Sequence, residues 1–284
     1  MTTPISLMEG KKGLIMGVAN ERSLAWGIAR MLAKHGAELA FTYQGDALGK
    51  RVRPLADSIG SSFVMPCDVT DETSVDKVFE QIKERWNRMD FLVHAIGFSD
   101  KNQLKGRYID LITRENFLST LDISCFSFTT VCKRAEPLMD QGGSCLTLTY
   151  YGAEKVTPHY NVMGIAKAAL EASVRYLSVD MGRNGVRVNA LSAGPVKTLA
   201  SSGIGDFRYI LKWSELNSPL KRNTTIDDVG GAALYLLSEL ASGTTGEIHH
   251  VDCGYHVVGM KAADAPDIAV ALKTASKSED TEEI

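Results

Sequence analysis

Short apolar runs return along this chain at intervals that leave room for one helix between each pair. They are GLIMGV (13–18), ELAFTY (38–43), SFVMP (62–66), DFLVHAI (90–96), SCLTLTY (144–150) and VRVNALS (186–192). Runs this short and this evenly apolar suit parallel strands covered on both faces. Helical patterns separate them, for example LAWGIARMLAKHG, which closes on Gly36 as a helix C-terminus should. A last run, EIHHVDCGYHVV, supplies a seventh strand. Strand–helix alternation of this kind predicts an α/β fold, a Rossmann-like doubly wound parallel sheet of about seven strands with helices on both faces. The expected domain is single and spans residues 1–272. From about residue 273 to 284 the sequence turns small, polar and acidic, so a disordered tail is expected there.

Composition removes several function classes. The formal net charge of -3 offers no electrostatic case for nucleic acid or an anionic membrane. Five cysteines, Cys67, Cys125, Cys132, Cys145 and Cys253, lack CxxC spacing and read as reduced thiols. Six histidines, including His249 and His250, show no ligand spacing, so no metal site is expected. No segment reaches membrane-spanning length, and a cytoplasmic protein is the expectation.

In a sheet of this class, ligands bind beyond the carboxyl ends of the strands, near the point where strand order reverses. The first strand leads into GVANERSLAWGIA, residues 17–29. Gly17 permits a tight turn, Ser23 can cap the helix or bond a phosphate, and Gly27 is expected to let helix and strand approach closely. The helix start then offers free N–H groups and a positive dipole end to a pyrophosphate. The spacing is not GxGxxG, so a purely structural glycine turn stays open. The second strand ends at Tyr43-Gln44. Gln44 can bond a ribose hydroxyl but cannot neutralise a 2′-phosphate, and Lys50 and Arg51 lie a helix turn or more beyond, which favours NADH over NADPH. After the third strand, Asp68 could accept from an adenine amino group, with Val69 against the ring, or Asp68 could simply cap the next helix. Ile96 and Gly97 end the fourth strand in a small turn that lets a cofactor, or merely the chain, pass close to backbone.

Tyr160 and Lys167 lie seven residues apart in a stretch with helical apolar spacing, about two turns of helix. Both side chains should leave one helix face. A phenol is a poor proton donor at its free pKa of about 10. An ammonium about 4 Å away is worth roughly 4 kcal/mol to a developing oxyanion at an effective dielectric of about 20. The pair could serve acid or oxyanion chemistry, or Tyr160 could pack while Lys167 snorkels to water.

Together these residues resemble the short-chain dehydrogenase/reductase superfamily and, within it, the bacterial NADH-dependent enoyl-acyl-carrier-protein reductases. The superfamily signature is Tyr-x-x-x-Lys; the longer Tyr160–Lys167 spacing and the turn His-Ala-Ile-Gly-Phe are similar to the enoyl reductases. The blocks FTYQGD, CDVT, DISCFSF, TYYGAEK, GVRVNALSAGPVKTLA and SGIGDFR carry the likeness over about residues 8–260. The resemblance implies dinucleotide contacts at Gly17, Ser23, Leu24, Gln44, Asp68, Val69, Ile96, Gly97, Lys167, and Val196, Lys197, Thr198, Leu199 and Ala200. It implies active-site tyrosines at Tyr150 and Tyr160, a substrate contact at Ser99, a mobile flap over about 197–215, enoyl-acyl carrier protein as substrate, and a homotetramer. The superfamily's catalytic serine would fall near Thr147, which strand parity leaves unassigned. Arg208 and Lys212, one turn apart in the flap, could meet an acidic carrier protein or be a solvated face. A carbonyl or alcohol dehydrogenase and a non-catalytic dinucleotide sensor are the rival readings.

Overall fold

The computed structural model describes residues 6–199 and 201–268. Its strands are β1 (Lys12–Met16), β2 (Glu38–Tyr43), β3 (Val64–Pro66), β4 (Phe91–His94), β5 (Gly143–Thr149), β6 (Val186–Ala193) and β7 (Ile248–Val251). They form one sheet in the order β3-β2-β1-β4-β5-β6-β7, and every pairing is parallel. All seven expected strands are present, though several end earlier than the apolar runs do. The last run stops being strand after Val251 because Cys253 (φ 58) and Gly254 (φ 84) turn the chain.

The helices are α1 (Leu24–Lys34), α2 (Gly45–Ser58), α3 (Glu72–Trp86), α4 (Tyr108–Leu111), α5 (Arg114–Leu121), α6 (Ser127–Ala135), α7 (Asn161–Gly182), α8 (Phe207–Asn217) and α9 (Ile226–Leu237). Strand parity divides the core into two layers. Leu14, Met16, Leu92, Cys145, Val188 and Ala190 pack against α3, α6 and α7. The alternate residues Ile15, Phe41, Phe91, Val93, Leu146 and Leu191 pack against α1, α2 and α9. Burying one such side chain stabilises by about 1.5–3 kcal/mol, so both faces are needed to hold a sheet this apolar.

Gly27 departs from its expected role. A Cβ there would collide with the Ile226 carbonyl of α9, and one at Gly230 would lie 2.7 Å from the Gly27 oxygen. The glycines let two helices cross closely; helix and strand are not the pair involved. Between α5 and α6 the chain passes through a π-helical segment, Asp122–Phe126. The expected tail at 273–284 lies outside the described residues, as does Ala200.

Candidate active site

Every strand-end residue singled out in the sequence lies at the carboxyl edge of the sheet, where the order reverses between β1 and β4. Gly17 (φ 101) follows β1, and a Cβ on it would run into the Ala95 carbonyl beyond β4. Only glycine meets both demands. The Ser23 hydroxyl accepts from the Ala19 and Asn20 N–H groups at 3.0 and 3.1 Å. It organises the loop and does not cap α1. With no acidic residue in its first turn, α1 keeps its positive end open toward Leu24 and the loop, a fit for a dinucleotide pyrophosphate.

Gln44 and Asp68 meet across β2 and β3: Gln44 Nε2 donates to Asp68 Oδ2 at 2.9 Å. Asp68 also accepts from the Thr70 N–H and hydroxyl. These bonds, Gln44's first, hold its carboxyl below the usual range, so it is ionised at neutral pH. An ionised carboxylate bonded to the residue that would receive the ribose fits a free 2′-hydroxyl and repels a 2′-phosphate. Val69 and Ile96 are half-buried against the core beside these turns.

Tyr160 and Lys167 are both buried at this end of the sheet, but not on one helix face as the spacing suggested, because Tyr160 precedes the helix that carries Lys167. Tyr160 stands one residue before α7, with helical dihedrals, between two residues in the left-handed region, His159 (φ 62) and Asn161 (φ 42). Its ring is 7% exposed and lies edge-on to Tyr150, centroids 4.9 Å apart. A Cβ on Gly152 would clash with the Tyr160 ring, and one on Gly164 would lie 2.7 Å from the Gly152 carbonyl, so two glycines make the phenol's seat. The Lys167 ammonium donates to the Leu148 carbonyl at 2.9 Å, which turns it toward the end of β5. A Cβ on Gly97 would be 3.5 Å from Nζ, which fixes the turn after β4 beside the ammonium.

Burial pushes the Tyr160 phenol well above its ordinary range, with Tyr150 and Glu171 adding to the rise. It pushes Tyr150 up to about 12 and draws Lys167 down to about 8. The phenol is therefore protonated at neutral pH. It is a neutral donor, and the Lys167 ammonium is held by a backbone carbonyl instead of by the phenol.

Thr147 is excluded from the site: its hydroxyl is wholly buried between the His94 ring (3.1 Å) and the His94 carbonyl (3.1 Å). Ser99 is tied to α5, bonded by Asn116 Nδ2 at 3.1 Å and by the Thr120 hydroxyl at 3.0 Å. Past β6, Val196 and Lys197 run into a turn where the Thr198 N–H donates to Ser201 Oγ at 2.8 Å, and Leu199 is half exposed. On α8, Lys212 pairs with Glu215 at 3.2 Å, while Arg208 is exposed.

Several site residues escaped the sequence reading. Leu104, Val162 and Met163 form a small apolar cluster with Tyr160, joined by Ile112, Phe117, Tyr150 and Ile204. Ser124, on the π segment, donates to the Phe98 carbonyl and accepts from its N–H, pinning the turn after Gly97. The cluster gathers residues from four separate segments, so no local pattern marks it. The π segment falls within DISCFSF, and no local pattern there marks its register shift.

Fold order, strand-end glycines, and a tyrosine and lysine beside a dinucleotide seat define a short-chain dehydrogenase/reductase. Residues 17–256 match the family model described as Enoyl-(Acyl carrier protein) reductase, and the chain belongs to that family. It is 66% identical over 270 residues to an enoyl-[acyl-carrier-protein] reductase [NADH] of Rhizobium meliloti, covering 95% of this chain and 99% of that one. It is 60% identical to the corresponding NADH enzyme of Rickettsia typhi, covering 91% and 98%. The enoyl-(acyl-carrier-protein) reductase of Anaplasma phagocytophilum, solved with NAD, superposes with a TM-score of 0.88 at 63% identity, covering 92% of this chain and 97% of its own.

Proposed function

We propose that this chain reduces the trans-2 double bond of enoyl thioesters borne on acyl carrier protein, with NADH as reductant, the last step of a fatty acid elongation cycle. One convergence carries the reading: Met163, packed with Tyr160, Leu104, Val162 and Ile204 in an apolar wall, lies beside the Gly97 turn, which the Lys167 ammonium also flanks. The wall suits an acyl chain, and the phenol at its inner end suits a thioester oxygen. When bound, NADH supplies the hydride that adds to the β-carbon of the enoyl group and leaves negative charge on that oxygen. Tyr160 donates its hydrogen bond to the oxyanion and then its proton, and a donor prepositioned in a buried site is worth far more than one in water. Lys167 holds the nicotinamide ribose hydroxyls, and its charge favours the oxyanion. Tyr150 shapes the pocket and Ser99 lines its outer part.

Gly17, Ser23, Leu24, Gln44, Asp68, Val69, Ile96, Gly97 and 196–200 are assigned to the dinucleotide. Exposed Arg208 gives the flap a charge suited to an acidic carrier protein. Outward apolar side chains on α5 to α7, among them Leu118, Phe126, Tyr176 and Val179, support a homotetramer. No described helix is long and apolar enough to cross a membrane, in keeping with a cytoplasmic enzyme. The test is NADH oxidation with crotonyl thioester against a panel of ketones and aldehydes. Turnover of the thioester is expected, and turnover of carbonyl compounds alone would end the assignment.

A further inference from the structure

His159 stands beside Tyr160 yet has no part in the chemistry just described. Its backbone is left-handed (φ 62), a conformation a non-glycine residue keeps only where its surroundings hold it. Both ring nitrogens face acceptors on different elements. Nδ1 is 3.3 Å from the Gly106 carbonyl, and Nε2 is 3.0 Å from Asp206 Oδ2. A ring protonated on both nitrogens engages the two together; a neutral ring engages one.

The partners explain why this matters. Gly106 closes the segment that carries Leu104, and Asp206 closes the one that carries Ile204. Both apolar side chains belong to the cluster around Tyr160. Asp206 is itself left-handed (φ 53) at the start of α8, and its carboxylate caps no helix N–H. Between them the Gly205 N–H donates to the Leu104 carbonyl at 3.0 Å, and a Cβ on Gly205 would lie 3.2 Å from His159 Cγ. Flap backbone is packed on the imidazole. On the other side of Tyr160, Asn161 Nδ2 donates to the Gln103 carbonyl at 2.8 Å. The turn holding the phenol is thus fastened through both neighbours, and His159 extends the hydrogen bonding to the flap.

We propose that His159 is a positioning residue: by bonding Gly106 and Asp206 together it locks the Leu104 segment and the Ile204 flap onto the turn that carries Tyr160. Closure around a long acyl chain and placement of the phenol then become one event. The inference rests on the enoyl-reductase reading, and each variant is compared with wild-type protein whose thioester turnover is measured first.

The variants are His159→Asn, which tolerates the left-handed backbone, Asp206→Asn, and the double variant. Crotonyl thioester leaves the outer pocket unfilled, so its KM should change less than about twofold. For a dodecenoyl thioester, KM should rise about tenfold, the size expected for one lost charge-assisted bond. The double variant should be no worse than the poorer single one, because both cut the same link. In cofactor-free protein, hydrogen exchange at the Gly205 amide should quicken in each variant while the β-sheet amides hold their rates. A chain-length profile like wild type with Gly205 exchange unchanged overturns the proposal. So do multiplying losses in the double variant, or exchange that quickens throughout the molecule.

Discussion

Burial acts on Tyr160 and Lys167 in the same sense, toward the uncharged form, and the consequences differ for each. For a phenol the uncharged form is the donor, so Tyr160 is a ready hydrogen-bond donor across the neutral pH range. Tyr160→Phe should lower kcat about a hundredfold, the usual loss for one oxyanion donor, with NADH affinity by fluorescence titration nearly unchanged. For Lys167 the uncharged form lacks the charge that its proposed role needs. Its ammonium, drawn down to about 8 by burial, loses its proton as pH rises through that value. The kcat/KM for NADH reports the cofactor-free enzyme and should fall above about pH 8; a profile flat to pH 10 would contradict the assigned role. The pair stood out in the sequence by its seven-residue spacing, but the shared helix face that spacing suggested is not formed, because left-handed Asn161 sets Tyr160 ahead of α7. The Leu148 carbonyl that captures Lys167 was not visible, since a backbone acceptor leaves no residue signature. His159 was passed over for a related reason: a histidine's partners lie on segments about fifty residues away in either direction.

At the scale of elements, the strands were legible because covering on both faces keeps them largely apolar, and buried polar residues such as His94 and Thr147 are bonded to each other instead of breaking the runs. The crossing of α1 and α9 was not, because it depends on residues 27 and 230 meeting in space. That crossing sets where the start of α1 points, and the start of α1 is the proposed seat of the pyrophosphate. Gly230→Val would force a side chain against the Gly27 carbonyl, whose oxygen lies only 2.7 Å from where the new Cβ would stand. Overpacking of this kind costs about 1–3 kcal/mol. The variant should melt several degrees lower and bind NADH more weakly, with kcat at saturating NADH largely kept. If the melting temperature falls but NADH affinity does not, the crossing serves stability alone. The π segment shows the limit of periodicity from the other side: its register shift places Ser124 under Phe98, and a 3.6-residue pattern gives no sign of such a shift.

Across the whole molecule, the floor of the active site and the stability of the fold share a residue. His94 ends β4 directly before the Ala95–Gly97 turn, wholly buried between Thr147 (3.1 Å) and Ser127 (2.8 Å). Burial first, and the nearby Lys167 charge second, press its pKa down to about 3. The unfolded chain has an ordinary histidine there, near 6.5. Between these values the unfolded state binds a proton that the folded state refuses, so stability falls as pH drops from about 6.5 toward 3. One such proton contributes a slope of about 1.4 kcal/mol per pH unit inside that window. Asp228, held at about 2 chiefly by Arg222, adds to acid sensitivity only at lower pH, below the usual aspartate value. His94→Gln keeps a hydrogen-bonding side chain between the two hydroxyls but cannot titrate. Urea unfolding of both proteins at pH 7.0 and pH 5.0 separates the effect from every other titrating group. Wild type should lose about 2 kcal/mol more stability than the variant over that interval, one proton's slope across the roughly 1.5 units below pH 6.5, even though the variant starts lower at pH 7. Equal losses would mean that His94 accepts a proton within the folded protein, and that the ground beneath the Gly97 turn is wetter and less rigid than its burial implies.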